Sequence, residues 1–80
     1  MRIKIEVRLK PGHFDPEGDV AAKSLRDLGF PVDAVKVGKV YVLDVKVDSK
    51  EEALRLAEDM CKKLLANPVK DDYTIEVLNA

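Results

Sequence analysis

Hydrophobic and polar residues alternate strictly from Arg2 to Lys10, with Ile3, Ile5, Val7 and Leu9 on one side and Arg2, Lys4, Glu6, Arg8 and Lys10 on the other. A period of two predicts a strand with one buried face. Pro11-Gly12 stops it, and Asp15-Pro16-Glu17 supplies an N-cap, a proline at the first helical position and an acid in the first turn. In the next helix, Ala21, Leu25 and Leu28 recur at helical spacing with Val20 alongside, and Gly29 stands where a left-handed C-terminal cap belongs. After Phe30-Pro31, the β-branched run Val32 to Val47 is cut once by Gly38-Lys39, which predicts two strands joined by a two-residue turn with glycine first. Ser49 and Glu52 have capping-box spacing and open a second helix, whose apolar stripe is Ala53, Ala57, Met60, Cys61 and Leu64, flanked by Leu54 and Leu65. Asn67-Pro68 ends it, and Tyr73, Ile75 and Val77 alternate as a last strand.

The predicted order is β-α-β-β-α-β. Two right-handed crossovers then place both helices on one face of a four-stranded antiparallel sheet, an α+β sandwich of the ferredoxin-like kind, as one domain over residues 1–80. In that arrangement Tyr41, Leu43 and Val45 face the helices, and Val40 and Val42 face the other way, toward water. The strands Val32 to Val37 and Tyr73 to Leu78 are edges free to pair, so both features point to association.

Size sharpens that expectation. A chain of 80 residues buries only about 60 to 65% of the surface its unfolded form exposes, so a partner surface adds useful stability. Charged residues make up 36% but nearly cancel to a net charge of -1, which leaves no global basic field for nucleic acid or membrane. The start MRIKIEVRLK lacks a signal-peptide core, and no apolar run approaches the roughly 20 residues of a membrane span; a cytoplasmic protein is expected. Glutamine is absent, asparagine occurs only at positions 67 and 79, and Lys, Arg, Glu and Asp are abundant, a composition resembling that of heat-adapted proteins.

Candidate chemistry is sparse. Cys61, the one cysteine, lies inside an apolar stripe with no base beside it in sequence, so it reads as a packing residue and not as a nucleophile. His13, the one histidine, lies in the loop Pro11-Gly12-His13-Phe14 with no second ligand at metal-binding spacing. The activities that ferredoxin-like folds host can each be tested. The first loop, PGHFDPEG, has no paired cysteines for copper; the first strand has no aromatics to stack on RNA bases; no arginine lies between Lys10 and Asp15 to cradle a phosphate. No catalytic, metal or cofactor residues are assigned, and surface remains as the candidate for function.

The stretch MCKKLLANPVKDDY, with LK and DP.G near the start and VGK in the middle, resembles the PurS family. The likeness runs through Leu9-Lys10, Asp15-Pro16, Gly18, Gly38-Lys39, Met60-Cys61, Asn67, Asp72 and Tyr73, and departs at Val69-Lys70-Asp71, where the family more often has an apolar residue and Glu. It implies the small subunit of phosphoribosylformylglycinamidine synthase, which makes formylglycinamidine ribonucleotide from formylglycinamide ribonucleotide, ATP and glutamine in purine biosynthesis. It further implies a non-catalytic homodimer or higher oligomer that bridges a large synthetase subunit, which binds ATP and magnesium, and a glutaminase subunit. No cofactor is expected on this chain. Val40 and Val42, with Asp15, Gly18, Asn67, Pro68 and Asp72 at family positions, are the interface candidates. A small-ligand regulatory module is the alternative on the same fold, and a small self-sufficient enzyme a third.

Overall fold

The computed structural model describes residues 1–78. These residues hold three strands, β1 (Arg2–Leu9), β2 (Gly38–Asp44) and β3 (Asp71–Val77), and two α-helices, α1 (Pro16–Asp27) and α2 (Lys50–Met60). The strands form one antiparallel sheet in the order β2-β1-β3. Ile3 stands opposite Leu43 and Val77, Ile5 opposite Tyr41 and Ile75, and Val7 opposite Lys39 and Tyr73. Directly opposed residues share a face, so the apolar half of the β1 alternation becomes the buried face and α2 covers it. The core is Ile3, Ile5, Val7, Ala53, Ala57, Cys61 and Ala66. The small side chains on the helix let its backbone approach the sheet while the isoleucines fill the gap.

At the end of α2 the helix widens into one π turn, Cys61–Leu65, closed by the Ala66 N–H donating to the Cys61 carbonyl at 3.0 Å. The extra residue rotates the side chains beyond it around the helix axis. The buried line runs Ala53, Ala57, Cys61, Ala66, with a step of five at the end. Leu64, expected on the buried stripe, is therefore turned outward and is 83% exposed.

The four-stranded expectation is corrected, because residues 32–37 form no strand and Gly38-Lys39 forms no turn. A two-residue turn with glycine first needs positive φ at that glycine, and the positive-φ glycines are Gly12 and Gly29. Gly38 instead opens β2 opposite Arg8, where a Cβ would stand 2.9 Å from the Val7 carbonyl oxygen. Its missing side chain lets two strands meet, and the chain runs straight through.

The placement of α1 is corrected too. It lies on neither the sheet nor α2 but packs against residues 32–37. Gly18 and Ala22 are its buried positions, and a Cβ added at Gly18 would collide with the Val35 carbonyl oxygen. Leu25, expected at the sheet, is half-buried in this small unit. The helix ends as its sequence predicts: Gly29 has φ +94°, and the Gly29 and Phe30 N–H groups return to the Arg26 and Leu25 carbonyls at 2.9 and 3.0 Å. Since Gly38 sits opposite Arg8, both connections to α1 leave from the same end of the sheet. Residues 11–37 thus form an arm on a body made of the sheet and α2. The molecule measures 49 × 26 × 14 Å with a radius of gyration of 15.9 Å, against about 12 Å for a compact domain of this length.

Candidate functional site

Asp15 is the joint of the arm. Its Oδ1 accepts the Gly18 N–H at 2.9 Å, as the N-cap pattern predicts, and its Oδ2 accepts the Val37 N–H at 2.8 Å. One carboxylate therefore clamps the start of α1 to the last residue before β2. The hydrogen bond from Val37, then that from Gly18, holds its pKa below the usual carboxylate value. Asp15 and Gly18 are buried within the subunit, so their task in this chain is to fix the arm.

The open face of the sheet carries Arg2, Lys4, Glu6 and Arg8 of β1, with Val40 and Val42 beside them on β2 and Thr74 and Glu76 on β3. Val40 and Val42 are 56% and 59% exposed, where the alternation places them. Arg8 Nη1 donates to Thr74 Oγ1 at 2.8 Å across this face, and Arg2 Nε meets Asp44 at 3.0 Å. Such exposed pairs add little stability, so the face is a charged frame around two valines.

A second apolar surface is one that sequence reasoning missed. Leu56, Met60 and Leu64 follow one another at spacing four along α2 and the π turn after it, and line an open groove with Leu43 and Leu65. That spacing was the available signal, but Met60 and Leu64 were counted into the neighbouring stripe of Ala53, Ala57 and Cys61, and Leu56 was left out. The arm shows apolar groups of its own, with Val20 66% and Leu28 74% exposed, and Phe14 and Phe30 exposed nearby.

The last loop is held by its own polar groups. Asn67 Oδ1 accepts the Val69 N–H at 2.9 Å, and the Asn67 N–H donates to Asp71 Oδ2 at 2.8 Å. Pro68 and Val69 form the exposed tip; Asp72 is half-buried in β3 opposite Arg8. Tyr73, expected in the core, is half-buried, and its hydroxyl donates to Glu58 Oε2 at 2.6 Å. That bond pushes its pKa up to about 12. Cys61 has no exposed surface, and burial followed by the nearby Glu58 charge pushes its thiol pKa up, away from the reactive thiolate. His13 is exposed, and among the described residues no three His, Cys, Asp or Glu side chains gather at metal-binding geometry.

The arrangement therefore presents two apolar surfaces and an arm fixed at Asp15. Residues 2–79 match the family model for PurS, phosphoribosylformylglycinamidine (FGAM) synthase. The chain belongs to the PurS family. It is 47% identical over 72 residues to the phosphoribosylformylglycinamidine synthase subunit PurS of Archaeoglobus fulgidus, covering 89% of this chain and 90% of that one. The PurS subunit of Bacillus subtilis is 34% identical over 77 residues, covering 95% and 90%. Among solved structures, PurS of Methanocaldococcus jannaschii superposes with a TM-score of 0.83 at 37% identity, covering 94% of this chain and 92% of that one. A chain of PurLQS from Thermotoga maritima superposes with a TM-score of 0.86 at 32% identity, covering 94% and 93%. The likeness thus extends over nearly the whole chain and does not rest on one motif.

Proposed function

We propose that this chain is the small, non-catalytic subunit of a cytoplasmic phosphoribosylformylglycinamidine synthase in purine biosynthesis, self-associated and docked between a synthetase and a glutaminase subunit. The observation that carries the reading is the match to PurS along residues 2–79, joined to likeness with a chain of the PurLQS structure. Ammonia released from glutamine at one enzyme must reach the formylglycinamide ribonucleotide at another before it escapes or is protonated, and a fixed docking geometry serves that need. ATP and magnesium belong to the large partner in this reading. The open face with Val40 and Val42, and the loop tip at Pro68 beside Asp72, are the docking elements offered to the partner enzymes. Asn67, wired into its own turn, shapes that tip.

Reconstitution tests it. Synthetase and glutaminase subunits from the same organism are assayed with and without this chain, using glutamine or ammonia as nitrogen donor. The chain should restore glutamine-dependent synthesis and show no turnover alone. Changing Val40 and Val42 together to Lys should lower co-purification with the partner enzymes, because a buried lysine needs a counter-charge. Product formed by the isolated chain from substrate, ATP and ammonia would overturn the non-catalytic assignment, and full glutamine-dependent activity without the chain would overturn the bridging role.

A further inference from the structure

Where the arm leaves the sheet, an open cavity of about 420 Å3 lies between arm and body. Basic side chains reach it from separate parts of the chain: Arg8 from β1, Lys10 and His13 from the connection to α1, and Lys36 from the segment before β2. Its acids are Glu6, Asp15 and Asp72. Opposite charges gathered at one place normally pair off, yet among the described residues the ion pairs are Arg2 with Asp44 and Lys63 with Asp59, both outside this cavity. Arg8, Lys10 and Lys36 form none, and neither do Glu6 and Asp72.

The walls of the cavity are held in place. Both Asp15 oxygens already accept backbone N–H groups, from Gly18 and Val37, and Lys36 acts on that carboxylate as a nearby charge, adding to the pKa lowering led by Val37 and Gly18. Because Asp15 pins Val37, the neighbouring Lys36 stays at the cavity without any arm movement. Arg8 Nη1 donates to Thr74 Oγ1 at 2.8 Å, which anchors one edge of the guanidinium and leaves further N–H groups for a ligand. Lys10 is half-buried, with its backbone N–H on the Lys70 carbonyl at 2.7 Å. An ammonium drawn partly out of water gains from a counter-charge. A bare anion would meet Glu6 and Asp72, and a cation would meet three positive side chains; a molecule with a phosphate at one end and hydroxyl groups at the other satisfies both sets, since Lys and Arg bind phosphate and carboxylates accept hydroxyl protons. Among the described residues no Phe, Tyr or Trp lines the cavity to stack on a base.

We propose that this cavity binds a sugar phosphate, with the phosphate held by Arg8, Lys10 and Lys36 beside His13, and the sugar hydroxyls donating to Glu6 and Asp72. A ligand so held spans the joint. It ties Lys36 of the arm to Arg8 and Lys10 of the body next to the Asp15 clamp, so occupancy stiffens the arm. The site goes beyond the bridging role and is tested on the isolated chain, and the reconstitution assay stands whether or not the cavity binds.

Nuclear magnetic resonance titration of the full chain tests it, with ribose 5-phosphate, ribose, inorganic phosphate and glutamine as the added molecules. Ribose 5-phosphate should bind about tenfold tighter than each of the other three, moving the Lys10, His13 and Lys36 amides together and leaving those of Ala53 and Ala57 in place. Lys36→Ala and Arg8→Ala should each weaken it about tenfold, as the loss of a charge-assisted hydrogen bond does, and Lys36→Arg should keep most of the affinity. Replacing Glu6 and Asp72 together by Ala should erase the preference over inorganic phosphate while phosphate itself binds no worse, a result that a loss of folding would not give. Exchange of the Val37 amide should slow at saturation. No binding of ribose 5-phosphate up to about 10 mM, equal binding of inorganic phosphate, tighter binding of glutamine, full affinity in Lys36→Ala or Arg8→Ala, or unchanged Val37 exchange at saturation would each overturn the proposal.

Discussion

The body and the arm are written in the same alphabet and differ in where their apolar groups go. In the body, the period-two positions of β1 and one line of α2 close on each other, and Ile3, Ile5, Ala53, Ala57 and Cys61 are sealed from water. In the arm, helical spacing is equally regular, yet only Gly18 and Ala22 of α1 are buried, and Val20 and Leu28 face out. The body is a core, and the arm is half of one. Burial at roughly 25 cal/mol per Å2 rewards apolar area only where something covers it, so Ile3 and Ile5 stabilise the body while Val20 and Leu28 add little to the arm by themselves.

The largest break in this comparison comes from the body. Ile5→Ala removes a fully buried side chain from the centre of the sheet and should cost about 3 kcal/mol, since the rigid alanine-lined helix above cannot collapse into the space. Thermal melting should fall accordingly at any protein concentration. Leu28→Ala, in the arm, should lower melting in a concentration-dependent way, as a lost contact between molecules does. A concentration-independent loss for Leu28→Ala would mean that the arm packs on its own body.

Gly18→Ala addresses the joint between α1 and residues 32–37. Its Cβ would meet backbone at the Val35 carbonyl and the Asp15 carboxylate, neither of which can swing away, so the arm should loosen at a cost of about 2 kcal/mol. Amide exchange should quicken across α1 while β1 and β3 keep their protection. Equal quickening in β1 would show that arm and body unfold as one unit. Cys61→Ala should be milder, about 1 kcal/mol, as a small buried group leaves a small cavity. Glutamine-dependent activity of an assembled complex should survive it, and its loss in a folded, assembled variant would make Cys61 a reactive group after all.

These sites also mark how far the sequence could be read. β1, both helix starts, the Gly29 cap, β3 and the burial of Cys61 rest on local patterns, and the structure has them in place. The turn at Gly38-Lys39 was not decidable in that way. The same glycine serves a type II′ turn or a close approach to β1, and the choice depends on where the strand's partner stands, which is not local information. Leu64 was misplaced because a periodic count assumes 3.6 residues per turn, and the π turn after Met60 inserts one residue without any signature in composition. Among the candidate contacts, Val40 and Val42 were exposed as expected because strand alternation alone fixes a face. Asp15 and Asn67 were legible as cap and helix stop, whereas the close approach of Gly18 to Val35 and the bond from Val37 to Asp15 join positions too far apart along the chain to be seen before it folds.

The finest break is by pH, at Asp15. Its folded pKa is lowered by the Val37 and Gly18 N–H groups, so the ionised form is the one the arm prefers. The corresponding stability is present above the unfolded value, about 4, and is lost as pH falls through the lower folded value. Acidification should therefore release Val37 from the start of α1 before it disturbs the body, where the carboxylate held below its usual pKa is Asp44 in an exposed pair with Arg2, and such a pair adds little stability. Nuclear magnetic resonance should show the Val37 and Gly18 amide signals moving together at an apparent pKa below the ordinary carboxylate value, with the Ile5 and Val7 amides unchanged over that range. Asp15→Asn should abolish the shared acid step, since the amide side chain does not titrate. A shared step that persists in Asp15→Asn would place the acid sensitivity elsewhere, and simultaneous movement of the β1 amides would show that the clamp holds the body as well as the arm.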